Sequence, residues 1–370
     1  MRTDVSPCDG GVPVDVHDRY EGALSLLRRP DGLIGRLVRG EPGFQARIAE
    51  ALAGAEKQLQ DCAAGAPDPR IAEVTGHLVA AGGKRLRPLL VLLGAEFGES
   101  WRDGVTQAAV ISELVHLASL HHDDVMDGAE TRHGVPTVHT RWGEHVAVLG
   151  GDWLLARAAQ LAAALGAEAV RLNAHTAGRL VSGQLRELTG PVPGEDPVAH
   201  YFQVAAGKTA ALLAMSLGMG AVQAAAPAPY AEALTEYGEQ LGIAFQIADD
   251  LLDLHAPAEV TGKEQGKDLL AGVPSLPVLL VRAGYDDGDR ELRALIDAGP
   301  GAGAADHRRA LELFGRSPAT ARARAVMHER LELARTALGP LPDLPARRAL
   351  EELCDVVALR SGRAETGPTT

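Results

Sequence analysis

Two stretches of this sequence place three aspartates within about one helical turn. They are Asp123, Asp124 and Asp127 in DDVMD, and Asp249, Asp250 and Asp253 in DDLLD. On a helix, residues four apart lie about 40° apart around the axis, so Asp123 shares a face with Asp127 and Asp249 shares one with Asp253. Like charges at that spacing weaken a helix unless something neutralises them. Each triplet follows an apolar run, VHLASLHH before the first and LGIAFQIA before the second, so neither reads as a solvated acidic face. A carboxylate in such surroundings takes a cation or takes a proton. Oxygen ligands with no cysteine beside them suit Mg²⁺, which keeps waters and bridges carboxylates to phosphates. One acidic cluster is as readily an exposed helix end; two in matching apolar contexts argue for a metal site. An EF-hand is excluded, because neither segment has its alternating ligands or central glycine.

A site that holds a phosphorylated ligand through Mg²⁺ needs cations as well. In Gly82-Gly83-Lys84-Arg85-Leu86-Arg87-Pro88, Lys84 and Arg87 stand three apart and can face one way. Arg132 follows the first acid cluster in ETRHG, Lys208 and Thr209 open an uncharged stretch, and Lys263 follows the second cluster in GKEQGKD. Each alone is an ordinary surface cation. His121 and His122 beside Asp123 read as structural rather than as zinc ligands.

The elements that must position these groups read as helices. Ile48, Leu52, Ala55 and Leu59 recur at spacings of three and four, and helical texture continues through 71–97, 105–130, 145–190 and 197–222. Another long helix is expected through 230–255, and three more near 305–314, 318–338 and 344–360. Breakers are Gly and Pro, and no run keeps the alternation of a strand. The pattern predicts an all-α domain over 46–362, a flexible leader over 1–45 and a disordered tail over 363–370. Low aromatic content (4%) agrees with helices rather than sheets.

Composition bounds the partners. A net charge of −13 argues against nucleic acid held by charge alone. Cys8, Cys62 and Cys354 are sparse and unpaired in spacing, which fits a reducing cytoplasm, and the acidic, glycine-rich N-terminal residues lack a signal peptide's apolar core. Thr209–Ala226 carries no charge, yet it is mostly Ala and Gly and reads as a buried core helix rather than a transmembrane segment. Trp101, Trp142 and Trp153 form no stacking pattern.

The order GGKRLRP, ELVHLASLHHDDVMDGAETRHG, GKT, FQIADDLLDL and GKEQGKDLLAGVPSLP, spanning about 82–277, resembles the trans-isoprenyl diphosphate synthases, the polyprenyl synthetase family. The resemblance implies a bundle of about 10–13 helices around a central apolar cavity, with the two acid motifs facing each other across its mouth. It further implies a homodimer that condenses isopentenyl diphosphate head-to-tail onto an allylic diphosphate with Mg²⁺.

Residue by residue, it makes Asp123, Asp124, Asp127, Asp249, Asp250 and Asp253 the Mg²⁺ ligands. Lys84, Arg87 and His116 become isopentenyl diphosphate contacts, and Arg132, Lys208, Thr209, Gln246 and Lys263 allylic-side contacts. Where the family has a second arginine after Arg132, this chain has His133, a weaker diphosphate contact while neutral. Ser119, Ala118, Val115 and Ser112 stand one to three turns before Asp123 and none is aromatic. In the family, bulk at the first two of these caps the growing chain, so small residues imply a product of C20 or longer, unless the floor is set elsewhere, for example by Leu180.

No general base or nucleophile stands out, as expected of a reaction driven by neutralising a leaving group. A terpene cyclase shares the first acid motif, but its second metal motif is of the Asn/Ser/Glu kind and it has no use for an isopentenyl site. A non-catalytic subunit of a heteromeric synthase typically lacks one acid motif; His133 is the one feature in favour of that reading.

Overall fold

The computed structural model describes residues 30–37, 41–257, 264–284, 287–299 and 303–360. In chain order the helices are α1 (Pro30–Leu37), α2 (Pro42–Ala64), α3 (Pro69–Ala80), α4 (Leu86–Ala95), α5 (Asp103–Met126), α6 (Val138–Trp142), α7 (Glu144–Leu165) and α8 (Ala167–Thr189). Then come α9 (Pro197–Ala205), a π-helical turn (Ala206–Ala210), α10 (Ala211–Gln223) and α11 (Ala228–His255). The last are α12 (Lys267–Leu270), α13 (Leu276–Ala283), α14 (Arg290–Asp297), α15 (Ala304–Phe314), α16 (Pro318–Ala337) and α17 (Pro345–Arg360).

The all-α expectation holds, with more helices than ten to thirteen because short ones such as α6 and α12 escape periodicity. Several starts are written in the sequence as Asp-Pro or Ser-Pro. Asp68, Asp196 and Ser317 accept the backbone N–H of Arg70, Val198 and Ala319 at 2.9, 3.1 and 3.1 Å, with proline in the first turn of each helix.

The N-terminal boundary differs from the expectation. α1 and the start of α2 fall inside the segment read as a leader, and Leu33, Leu37 and Phe44 are buried in the main core. Arg36 on α1 pairs with Glu352 on α17 at 2.6 Å. The i, i+4 pair Leu33/Leu37 is a helical signal that the surrounding Gly, Pro and Asp obscure. Residues 1–29 and 361–370, which contain the rest of the leader and the tail, lie outside the described residues.

At the centre lies α10, buried from Ala211 to Ala221 and packed against α4, α5, α8 and α11. Side chains hardly separate it from α4. A Cβ on Gly94 would stand 2.5 Å from the Leu217 carbonyl oxygen, and one on Gly220 would collide with that of Val91. Adding a methyl there forces two backbones apart, overpacking that costs about 1–3 kcal/mol. The stretch Pro197–Gln223 is apolar enough to cross a membrane by length and composition, but 78% of its apolar window is buried inside the protein, as expected of a core helix. A satellite core under the C-terminal helices gathers Leu254, Val281, Leu292, Ile296 and Phe314.

The sequence pattern did not forecast the single hairpin among the described residues, Thr131–Arg132 paired antiparallel with Val135–Pro136. Its two-residue turn has positive φ at both positions, His133 at 52° and Gly134 at 81°. Such a turn matches strand twist and favours Asn-Gly; His is among the few other residues that tolerate the first position.

Candidate active site

The first acid cluster ends α5. Asp123 is half-buried, Asp124 is buried, and Asp127 caps the helix in the open. This is the negative end of the helix dipole, which adds to the crowding of three carboxylates. Burial pushes the Asp123 carboxyl up to about 6; Lys208 opposes this, while Asp127 and Glu187 add to it. Arg132 from the hairpin grips Asp124 Oδ1 with Nε at 2.9 Å and Nη2 at 2.5 Å, leaving Oδ2 buried without a hydrogen-bond partner. Asp123, Asp127 and Glu187 are oxygen-only groups with Lys208 as the cation that acts on all three, and a hard divalent cation fits their chemistry.

The second cluster, on α11, divides its three acids. Asp250 is turned into the protein, where its carboxylate accepts the Tyr201 hydroxyl at 2.7 Å, the Leu276 N–H at 3.0 Å and Gln246 Nε2 at 3.1 Å. Burial still pushes its carboxyl up to about 7. Asp249 is paired with Arg360, the last residue of α17, whose guanidinium also lies 4.3 Å from the Phe245 ring centroid. Asp253 Oδ2 accepts the Asp268 N–H at 3.1 Å. Among the described residues no three His, Cys, Asp or Glu side chains gather into a chelating set by themselves.

Two adjacent residues join the clusters. Lys208 on the π turn donates to Glu187 Oε2 at 2.5 Å, and Asp123 and Asp127 reinforce that pull, raising the ammonium pKa against the opposing effect of burial. Its neighbour Thr209 donates to Gln246 Oε1 at 2.9 Å, and Gln246 in turn holds Asp250. The extra residue of a π turn re-aims side chains, and such turns often mark functional sites.

A group of cations lies beside the first cluster. His116, one face of α5 below Asp123, is held well below the ordinary histidine pKa by burial and then by Arg87, Arg132, His133 and Arg85. His133 at the hairpin tip is lowered by burial, then by Arg132, Arg85 and Lys84. Arg87 and Arg132 thus act on His116, and Lys84 and Arg132 on His133, a concentration of positive charge of the kind an anion site requires. Lys263 lies outside the described residues. His121 and His122 donate to the carbonyls of Leu117 and Val148 at 2.8 and 3.2 Å, in keeping with a structural role.

The four residues read as lining the Asp123 face do not all do so: along α5, at about 100° per residue, Ser119, His116 and Ser112 stay within about 40° of the Asp123 stripe and Val115 within about 80°, whereas Ala118 lies about 140° away and faces elsewhere. Ser112, Val115 and Ala118 are buried and Ser119 half-buried. Leu180 on α8 packs against the same core.

Sequence reasoning missed Glu187 and Gln184 on α8, three apart on one face. Both amide atoms of Gln184 are buried without a partner. Their spacing in GQLRELTG is a readable signal, whereas Tyr201, Arg85 and Arg360 are set by contacts distant in sequence.

A pattern described as polyprenyl synthetase matches residues 68–313. Nonaprenyl diphosphate synthase of Mycobacterium tuberculosis is 39% identical over 337 residues, covering 91% of this chain and 100% of that protein. Heptaprenyl diphosphate synthase component 2 of Geobacillus stearothermophilus is 35% identical, covering 85% of this chain and 97% of that one. The fold is similar to the crystal structure of geranylgeranyl pyrophosphate synthase from Corynebacterium glutamicum complexed with calcium and isoprenyl diphosphate. The TM-score is 0.79 at 36% identity, covering 88% of this chain and 99% of that one. With a family pattern over most of the chain and relatives matched nearly end to end, this chain belongs to the polyprenyl synthetase family.

Proposed function

We propose that the chain is a Mg²⁺-dependent trans-prenyltransferase that condenses isopentenyl diphosphate onto an allylic diphosphate. The observation that carries this reading is the reach of Lys208 and Thr209 to the two acid clusters, which supports one ligand shared by both. Asp123 and Asp127, with Asp249 across the mouth, would hold the metal. Glu187 lies beside them, and Asp124 and Asp250 act through Arg132 and Tyr201. The sparse protein chelation agrees with an ion that takes its remaining ligands from water and substrate phosphate. The charge such an ion would supply there is what the departing diphosphate needs to be neutralised.

Lys208 would add a fixed charge on the same oxygens, and Thr209, bonded to Gln246, would position that side chain and through it Asp250. Lys84, Arg87 and His116 hold isopentenyl diphosphate so that its double bond faces that carbon. The new C–C bond forms, and one proton leaves for the released diphosphate. Apolar packing behind both clusters keeps water from the cation. Relatives named for geranylgeranyl, heptaprenyl and nonaprenyl products, and the small residues above Asp123, support a product of C20 or longer.

Val181, Leu185 and Leu188 form an exposed stripe on α8 beside Leu149 on α7, between 58% and 67% exposed. Apolar patches of this kind mark interfaces and support a homodimer. The buried apolar helix and the free Cys62 and Cys354 agree with a cytoplasmic enzyme.

The reading is tested by incubating the purified protein with isopentenyl diphosphate, each allylic starter and Mg²⁺ and sizing the products. Elongation should vanish with a chelator and return with Mg²⁺. No elongation with any starter overturns the reading and favours the heteromeric-subunit alternative, which the component 2 relative keeps in view. A cyclase would instead release a hydrocarbon from an allylic diphosphate alone. The neutral His133 makes one further expectation specific: His133→Arg should lower KM for isopentenyl diphosphate roughly three- to tenfold, with kcat little changed. An unchanged KM would remove the hairpin tip from the binding site.

A further inference from the structure

Between α3 and α4 the chain turns at Arg85, a residue other than glycine with φ at 48°. A bulky side chain holds left-handed backbone only where its surroundings impose it. Here the guanidinium imposes it, 5% exposed and bonded on every side. Nε and Nη2 take both oxygens of Glu56 on α2, at 2.5 and 3.0 Å. Nη1 takes Glu113 Oε1 on α5 at 3.0 Å, and the carbonyls of Val79 and Gly82 accept at 3.1 and 3.4 Å. Arg85 thereby ties two helices to the loop that carries Lys84. Glu56 lies outside residues 68–313, so the clamp reaches beyond the matched family region.

Two residues on, Arg87 has the opposite character. Its Nε is buried with no hydrogen-bond partner, and its attraction is to Glu113, whose Oε2 is likewise buried and unpaired. Glu113 is thus a carboxylate with two guanidiniums to choose from, and Arg85 holds it.

We infer that Arg85 is a positioning residue for isopentenyl diphosphate, whose clamp on Glu56 and Glu113 aims the loop and keeps Glu113 from capturing Arg87. The inference rests on the proposed role of Lys84 and Arg87. With Arg85 in place, Glu113 stays off Arg87, and its guanidinium, with Nε unpaired, is left for the diphosphate. Without it, Glu113 becomes Arg87's salt-bridge partner and the ligand loses a contact.

The test is steady-state kinetics on Arg85→Gln, Glu56→Gln and the double variant Arg85→Gln/Glu113→Gln, with thermal unfolding of each. Arg85→Gln should raise KM for isopentenyl diphosphate about tenfold, the weight of a charge-assisted contact, with KM for the allylic substrate and kcat each within about twofold. Glu56→Gln, at the solvent side of the clamp, should show the same selectivity at about threefold without unfolding the protein. Neutralising Glu113 in the Arg85→Gln background should recover part of the lost affinity, because the competitor for Arg87 is gone. A merely structural role predicts the reverse, further loss in the double variant. That result, parallel rises in both KM values, or an unchanged KM for isopentenyl diphosphate in Glu56→Gln, overturns the inference. Lys84→Ala, measured alongside, separates the two levels. If it raises KM while the clamp variants do not, the clamp alone is wrong; if it too leaves KM unchanged, the binding site has been misplaced.

Discussion

Asp123→Asn should lower kcat by at least about 10³-fold with little change in KM for isopentenyl diphosphate. The loss falls on kcat because the carboxylate's task is to hold positive charge where the departing diphosphate becomes more negative, an interaction stronger in the transition state than before it. Folding should not suffer. Asp123 is half-buried beside Asp127 and Glu187 at the negative end of α5, and its carboxyl is pushed up to about 6 from an ordinary 3.8. A carboxyl that binds its proton more tightly in the folded state gives no penalty below pH 3.8. It costs stability as pH rises from about 4 to about 6, where it ionises in the folded protein. In a chelator, then, wild type should lose more stability than Asp123→Asn across that interval, and Mg²⁺ should restore the wild type only. Thermal unfolding with and without Mg²⁺ reads this directly. Equal pH slopes, or near-normal turnover by the variant, would take Asp123 out of the metal site.

A phenylalanine one turn below the acids should change what the enzyme makes. Ser119→Phe puts a ring on the same stripe of α5 as Asp123, at about 6 Å of depth. The dominant product should fall from C20 or longer to about C15, with turnover of the first condensation retained. Ala118 lies about 140° around the helix from that stripe and is fully buried, so Ala118→Phe should cost about 1–3 kcal/mol of stability by overpacking and leave the product length unchanged. Product chromatography decides: an unchanged distribution in Ser119→Phe would place the floor on another helix, with Leu180 the next position to fill.

The parts of this site that the sequence announces are those whose partners are close in the chain. Asp123 and Asp127 share a face by helical spacing alone, and Arg132 stands eight residues from the Asp124 it grips. Asp250 looks the same as Asp249 on paper. Its inward turn depends on Tyr201, 49 residues earlier, and on the N–H of Leu276, 26 residues later. Likewise Lys84, Arg85 and Arg87 are three like charges in a row, and only Glu56 and Glu113 single out the middle one for the interior. The early helix α1 is hidden by its Gly, Pro and Asp content, since its two buried leucines are too few to set a period. The hairpin was legible in principle, because His-Gly at 133–134 satisfies the turn's demand for positive φ.

The near-contact of backbones between α4 and α10 limits how such an enzyme diversifies. Where side chains separate two helices, substitution by larger or smaller ones moves the wall by an ångström at a time. Where peptide groups meet almost directly, no substitution brings them closer, and any enlargement pushes them apart at once. In this chain the α4–α10 contact is a fixed plank through the middle of the bundle, and a change of product length falls to the side chains of α5 and α8 instead.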